Sequence, residues 1–168
     1  MKIINLICLF MIFSCQAQQE NKYLEQVGDT QYNSKIDDPN FKVCNPNKSF
    51  QYYNIFQSNG VQYKGEKYAI LKLWGETYNP NLYISEKTGY ITIRFLVNCE
   101  GKTGLFRIQQ MDENYLETSF NENLVKKVLN FVKSLDEWAK VESKEKKIDY
   151  YQYLTFKIEN GIVKEILP

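Results

Sequence analysis

Histidine is absent from the 168-residue sequence, and its absence removes several kinds of chemistry. A catalytic triad built on histidine, a histidine metal site and acid–base catalysis by imidazole are all excluded. Acidic pairs occur at Asp112-Glu113 and Asp136-Glu137, but neighbours in sequence do not face each other on a strand or a helix. Neither a glycine-rich phosphate loop nor a Cys-x-x-Cys motif is visible. The sequence therefore predicts a protein that is not an enzyme and that uses no cofactor or metal.

A strong charge of either sign is also missing. The chain has 21 basic and 20 acidic residues, which gives a net charge of +1. A nucleic-acid partner is not expected, because nucleic-acid-binding domains carry a basic patch. The hydrophobic fraction of 43% is large enough for a packed core, and the length suits a single domain. The composition thus predicts one folded domain with short extensions, and it leaves the oligomeric state open.

Residues 1–14 have the form of a secretory signal. An apolar run of about eleven residues, Ile3–Phe13, follows a short charged start and is too short to span a bilayer as a helix. The sequence Ile12-Phe13-Ser14-Cys15 resembles a bacterial lipobox, and by that resemblance Cys15 becomes the lipidated first residue of the mature chain. Gln16 then implies an outer-membrane lipoprotein that faces the periplasm of a Gram-negative cell envelope. The alternative is cleavage after Ala17, which would give a soluble periplasmic protein.

Residues 15–40 are predicted to be a flexible, lipid-anchored tether, and residues 41–168 are predicted to be the folded domain. The tether is rich in Gln, Asn, Asp and Ser and has few large aliphatic residues. Within it, Asp37-Asp38-Pro39 predicts a solvated turn. The domain contains two cysteines, Cys44 and Cys99. In an oxidising compartment they can form a disulfide worth about 4 kcal/mol by the chain-entropy model, and the alternative is a pair of buried thiols.

Two hairpins are predicted. The first lies between Gly89 and Met111, with a turn cluster at Asn98–Gly101. Alternation in its first strand predicts a buried face formed by Ile91, Ile93, Phe95 and Val97. The second hairpin covers Asp149–Pro168 and turns at Asn160-Gly161, a pair favoured in two-residue turns.

A first amphipathic helix is predicted for 65–78. Its apolar stripe contains Tyr68, Leu71 and Trp74, and Asn79-Pro80 ends it. The preceding segment, Phe50–Phe56, is compatible with a strand.

A second amphipathic helix is predicted for 119–140. It begins with a capping box formed by Ser119 and Glu122. Its inward stripe comprises Leu124, Val125, Val128, Leu129, Val132, Leu135 and Trp138. The order of elements predicts an α+β fold, with a small antiparallel sheet of three to four strands and helices packed on one face.

Several motifs follow one another in an order that is known from one family. They are Tyr63-Lys64-Gly65-Glu66 with Ala69-Ile70-Leu71, Asn79-Pro80, Gly89–Val97, Gly101, Leu135-Asp136-Glu137-Trp138 and Tyr153-Leu154-Thr155-Phe156. This ordered set, which covers roughly residues 63–156, resembles the TonB C-terminal domain family. In that family a helix and a proline-containing stretch precede two strands, a helix with a tryptophan near its end, and a final strand.

The resemblance implies recognition of an extended protein segment, which in that family is the box of an outer-membrane transporter. The implied mechanism is strand addition, because an exposed sheet edge presents N–H and C=O groups to an incoming chain. The edge is predicted at strand 150–158 or at the return strand beyond it, and the alternative is that the return strand 162–167 covers the edge. The candidate binding residues are Tyr151, Tyr153, Thr155 and Lys157.

The chain differs from a full TonB protein, which carries a transmembrane anchor and a long proline-rich spacer. Only four prolines occur in total. The resemblance therefore implies a lipid-anchored periplasmic binding module with a link to transmembrane transport, and not an energy transducer. Its expected partner is an envelope protein or a segment of a TonB-dependent transporter. The alternative is a structural or assembly lipoprotein that uses the fold as a scaffold.

Overall fold

The computed structural model describes residues 28–56, 60–79, 87–141 and 147–168. The predicted signal 1–14 and the predicted lipidation site Cys15 lie outside these residues. The elements, in chain order, are β1 (Ser49–Gln51), α1 (Tyr52–Phe56), α2 (Glu66–Thr77), β2 (Gly89–Val97), β3 (Thr103–Asp112), α3 (Glu122–Ser134), β4 (Asp149–Glu159) and β5 (Ile162–Leu167). Within the described ranges, none of the helices combines the length and the apolar character that a membrane crossing requires.

The five strands found among the described residues form one open sheet. Its order is β1-β4-β2-β3, and β5 also pairs with β4. One side of β4 pairs with β2, and its other side is shared by β1 near its start and β5 near its end. Only the β1–β4 pairing is parallel among these contacts. The predicted α+β class is confirmed, and the sheet exceeds the expected three to four strands because β1 also joins it.

The main core lies between the sheet and the helices α2 and α3. The predicted inward residues of β2 are fully buried, namely Ile91, Ile93, Phe95 and Val97. Val128 and Val132 of α3 are also fully buried. Leu135 and Trp138 are buried as well, although they follow the end of the helix. The Trp138 indole N–H donates to the Leu135 carbonyl at 2.9 Å, which holds this turn onto the core.

The start of α3 differs from the predicted capping box. Asn121 is the N-cap, and its Oδ1 accepts the N–H groups of Asn123 at 2.9 Å and Leu124 at 3.3 Å. Asparagine caps a helix as well as serine does, because its side-chain oxygen also reaches the free N–H groups of the first turn. The helix therefore starts at Glu122, and the capping role predicted for Ser119 is wrong.

The predicted helix 65–78 is present as α2, and its predicted buried face is right only for Trp74. Trp74 and Ile70 are buried, whereas Tyr68 is 78% exposed and Leu71 is 40% exposed. Apolar residues lie on both flanks of this helix, so two stripes fit a spacing of three and four residues. Packing of Trp74 against the rings of Phe131 and Phe156 selects the observed face.

The residues assigned to a tether are in part folded. Residues 28–43, which we name the N-terminal strap, lie across the sheet face that is opposite to α2 and α3, where Phe41 and Val43 pack on Leu96, Leu105 and Tyr151. The Arg94 guanidinium donates to Thr30 Oγ1 at 3.2 Å and to the Gly28 carbonyl, and its Cζ lies 3.9 Å from the centre of the Tyr151 ring. The predicted flexible tether 15–40 is therefore wrong for residues 28–40, and residues 15–27 lie outside the described part.

The strap also carries a buried ion pair. Asp37 Oδ1 lies 2.8 Å from Arg107 Nη1 and Oδ2 lies 2.9 Å from Nη2, and both side chains are only 2% exposed. The solvated turn predicted at Asp37-Asp38-Pro39 is wrong for Asp37, because Arg107 provides a paired, desolvated site for its charge. Arg107 also donates to the carbonyls of Phe106 and Gln31.

Gly104 of β3 provides the space that the strap needs. A Cβ added at Gly104 would lie 2.3 Å from Cγ of Phe41, whose ring packs over this glycine. We expect Gly104→Ala to lower the free energy of unfolding by about 1–3 kcal/mol, because overpacking must displace the Phe41 ring. Chemical denaturation measures this loss, and faster proteolysis within residues 28–43 would locate it in the strap.

Gly75→Ala is the matched control. A Cβ at Gly75 would meet nothing within 4 Å, and the residue lies inside α2. Alanine favours helix over glycine, so this variant should be more stable by about 0.5–1 kcal/mol. Equal behaviour of the two variants would contradict the role assigned to Gly104.

Candidate functional site

The strand predicted to be the binding edge is an inner strand. β4 pairs with β2 over Tyr150–Ile158, and β5 pairs with the same β4 over Thr155–Glu159. β1 pairs with its first residues, Asp149–Tyr151. The assignment of the binding edge to β4 is therefore wrong. Sequence spacing could not show this, because the order of strands in a sheet depends on contacts between distant segments.

The four candidate residues of β4 lie on the sheet face and not at an edge. Tyr151 is buried under the strap, where its hydroxyl accepts the N–H of Thr30 at 2.7 Å. Thr155 Oγ1 is 3.0 Å from Thr92 Oγ1 on β2.

The other two candidates are partly exposed. Tyr153 packs edge-to-face against Tyr52 of α1, with ring centres 5.7 Å apart. Lys157 forms an ion pair with Glu159 at 2.8 Å. All four side chains thus contribute to the sheet surface, and none of them presents an outer strand edge.

Several backbone groups on the outer edge of β3 are already bonded. The Thr118 N–H donates to the Gln110 carbonyl at 3.1 Å, and the Asp112 N–H donates to the Leu116 carbonyl at 2.8 Å. Near the start of the strand, the Phe106 carbonyl accepts the Arg107 side chain at 2.8 Å. An incoming chain would have to displace these contacts.

The outer edge of β5 differs from that of β3. Among the residues that the structure describes, β5 has β4 as its strand neighbour. The N–H of Val163 points away from β4 and donates to the hydroxyl of Tyr78 at 3.0 Å. A second side-chain contact links Lys67 Nζ to Glu165 at 3.1 Å. The edge of β5 is therefore bonded by side chains of α2 and of the residue that caps it.

Tyr78 is placed by the core. Its ring stacks on Trp74 with centres 4.5 Å apart, and its N–H donates to the Trp74 carbonyl at 2.9 Å, which closes the C-terminus of α2. The sequence identified Tyr78 as a residue near the end of the helix, but it gave no sign of the contact with β5. The Asn79-Pro80 stop was the one local signal that the chain changes direction here.

A second group of residues with a defined geometry surrounds the disulfide. Cys44 and Cys99 are bonded, with Cα atoms 6.0 Å apart, so the predicted pairing is confirmed. Asp149 is fully buried beside them. Its Oδ2 accepts the N–H of Asn45 at 2.7 Å and its Oδ1 accepts the N–H of Cys99 at 2.9 Å. The first residue of β4 thus fixes the backbone on both sides of the disulfide.

Two buried tyrosines of the core have raised pKa values. Burial raises the pKa of the Tyr52 phenol to about 12, with a further contribution from its hydrogen bond with Tyr153. Burial also raises the pKa of Tyr150, whose hydroxyl donates to the Ala139 carbonyl at 2.7 Å. Both phenols stay protonated at neutral pH, so they act as hydrogen-bonding groups and not as bases.

The fold and its edges define a class: a disulfide-bonded α+β domain whose sheet ends in a short strand held by a neighbouring helix. Comparisons of the chain with protein-family models, with curated proteins and with solved structures gave no match. The resemblance to the TonB C-terminal domain family stays a prediction. The observed order of α2, β2, β3, α3 and β4 has the same sequence of helices and strands as the pattern on which that resemblance depends.

Proposed function

We propose that the protein is a lipid-anchored binding module of the cell envelope. It pairs an extended segment of an outer-membrane transporter or of another envelope protein with the outer edge of β5. Backbone hydrogen bonds to the edge provide the affinity in such strand addition, and flanking side chains provide the specificity. This proposal moves the binding edge from β4 to the return strand.

The hydrogen bond between Val163 and Tyr78 is the observation that carries the proposal. The outward N–H of Val163 needs an acceptor, because an unpaired backbone group away from water is costly. In the free protein a phenol oxygen fills the place that a carbonyl of an added strand would take. One such hydrogen bond is worth only about 0.5–1.5 kcal/mol net, so a backbone carbonyl of a partner can replace the phenol oxygen as the acceptor.

The strap supports a short distance between the membrane and the domain. If Cys15 carries the lipid, the chain between it and Gly28 spans at most about 45 Å when fully extended. The Arg94 contact with the Gly28 carbonyl fixes the other end of that link to the sheet. A partner in or near the same membrane would then be within reach.

Substitutions of the donor residue and of the acceptor residue in the Val163–Tyr78 hydrogen bond should change peptide binding in opposite directions. Val163→Pro removes the outward N–H, and proline is tolerated at an edge position whose N–H does not serve the ladder. We expect this variant to lose binding of extended peptides from transporter N-termini. Tyr78→Phe frees the same N–H for the partner and should tighten binding about two- to tenfold, since a net hydrogen bond is worth about 0.5–1.5 kcal/mol. Titrations followed by ¹⁵N amide shifts measure both.

The amide shifts also locate the site. The wild-type protein should show its largest changes within residues 162–167. Changes confined to β3, or weaker binding in Tyr78→Phe, would contradict the proposed edge. If no extended peptide binds while the protein copurifies with fixed envelope partners, the scaffold function is supported instead.

A further inference from the structure

The disulfide lies beside a buried carboxylate that the proposed binding function does not use. The Sγ atoms of Cys44 and Cys99 and a carboxylate oxygen of Asp149 all lie within 4.8 Å of one another. Asp149 is fully buried, whereas both cysteines are partly accessible. Cleavage of the S–S bond would therefore leave two thiols and a carboxylate, which are groups that can bind a metal ion, together close to the surface.

Hydrogen bonds hold the two cysteine segments together independently of the disulfide. Asp149 accepts the N–H of Asn45 with one oxygen and the N–H of Cys99 with the other. Asn98 adds a further link, because its Nδ2 donates to the Lys42 carbonyl at 2.9 Å. These bonds do not depend on the S–S bond, so cleavage of that bond should leave two thiols facing each other beside the carboxylate.

We propose that reduction of the disulfide creates a binding site for a thiophilic divalent cation, with Zn²⁺ as the ion that fits best. A thiol reductant supplies two electrons and two protons, the S–S bond breaks, and the two reductant thiols join in a disulfide. The cation then binds two thiolates and the Asp149 carboxylate, and the two thiol protons pass to solvent. Zinc with three protein ligands takes water in its fourth position, and the partial exposure of the cysteines admits it.

The geometry requires small movements. With Zn–S near 2.3 Å and Zn–O near 2.0–2.2 Å, the ligand atoms of a tetrahedral site are roughly 3.5–3.8 Å apart. Rotation of the two freed cysteine side chains supplies the separation of the sulfurs and their approach to the carboxylate. Asp149 can take part, because a carboxylate offers about four acceptor positions and the two backbone N–H groups use two of them.

Cobalt titration tests the site, because Co²⁺ occupies zinc sites and reports on its ligands by absorption. The protein is reduced with a phosphine, which is then removed, and Co²⁺ is added without oxygen. We expect one Co²⁺ per chain, thiolate charge-transfer bands in the near ultraviolet, tetrahedral bands in the visible, and displacement of all bands by Zn²⁺. The oxidised protein and the Cys44→Ser variant should show none of these bands.

Other results would overturn the proposal. It fails if the reduced protein keeps its near-ultraviolet circular dichroism but gives no thiolate bands, and also if reduction alone abolishes that dichroism, since the hydrogen bonds would then not hold the site. Asp149→Asn should alter the cobalt spectrum. X-ray absorption on the zinc-loaded wild type gives a second test that needs no variant: two sulfur and two oxygen ligands support the site, and a shell with fewer than two sulfurs contradicts it.

Discussion

Asp37→Asn is expected to destabilise the protein by about 3–5 kcal/mol, since it leaves the Arg107 guanidinium buried without its charged partner. Asp37 meets both Nη atoms of Arg107, and its Oδ2 also accepts the N–H of Asn33 at 2.8 Å. Asparagine keeps the shape but loses the charge and one acceptor. Denaturant unfolding, with the free energy extrapolated to water, measures the loss.

The double variant Asp37→Asn, Arg107→Met separates the two contributions. Removing both charges leaves no unpaired ion, so most of the stability should return. The exposed pair Lys64–Glu137 serves as a control, because its side chains are 76% and 47% exposed. Glu137→Gln should leave the unfolding curve unchanged. If the double variant is as unstable as Asp37→Asn, the loss of stability comes from losing the ion pair itself and not from leaving Arg107 unpaired.

The same carboxylate gives the stability a pH dependence. Burial opposes ionisation of Asp37, but the hydrogen bonds from Arg107 and Asn33 and the charges of Arg107 and Lys133 outweigh it, so its pKa lies below the ordinary value of 3.8. Protonation therefore favours the unfolded chain. The contribution is present above the ordinary pKa and is lost as the pH falls through the lowered one. Asp37→Asn should lack this part of the acid sensitivity.

Phe156→Ala is the second large expectation, again about 3–5 kcal/mol of lost stability. Phe156 is fully buried on β4, and its ring centre lies 5.3 Å from that of Trp74 on α2 and 6.3 Å from that of Phe131 on α3. Truncation leaves a cavity where both helices meet the sheet. Leu116→Ala, at a residue that is 65% exposed, should change stability by no more than about 0.5 kcal/mol.

Phe156→Ala also tests how the proposed binding edge is supported. Trp74 stacks on Tyr78, whose hydroxyl bonds to Val163. Loss of the Phe156 ring should therefore speed amide hydrogen exchange at Val163 as well as in α2. If exchange at Val163 is unchanged while α2 loosens, the edge is held independently of this aromatic group.

Local signals in the sequence predicted most of the elements. Alternation and turn residues were sufficient for the hairpins, and Asn160 and Gly161 take the positive φ values of 51° and 74° that a two-residue turn of this kind needs. The buried faces of β2 and α3 followed from periodicity in the same way. Each of these features depends on residues close together in the chain.

The errors concern contacts between distant segments. Asp37 and Arg107 are 70 positions apart, and a charged residue in a polar stretch is ordinarily solvated, so the strap had no local signature. The buried face of α2 depended on which stripe met Phe131 and Phe156. The inner position of β4 depended on its pairing with β2 along the side opposite to β5, and no turn or alternation pattern encodes that pairing. The contact of Tyr78 with Val163 was missed for the same reason.

The disulfide makes residues 44–99 a covalent ring that contains both β1 and β2. β4 lies between these two strands, so the C-terminal part of the chain is threaded into the sheet between two members of one closed loop. A break in the backbone anywhere between α1 and β2 would open the ring without separating its pieces. A single proteolytic cut between α1 and β2 would therefore leave the two fragments covalently linked for as long as the Cys44–Cys99 disulfide is intact.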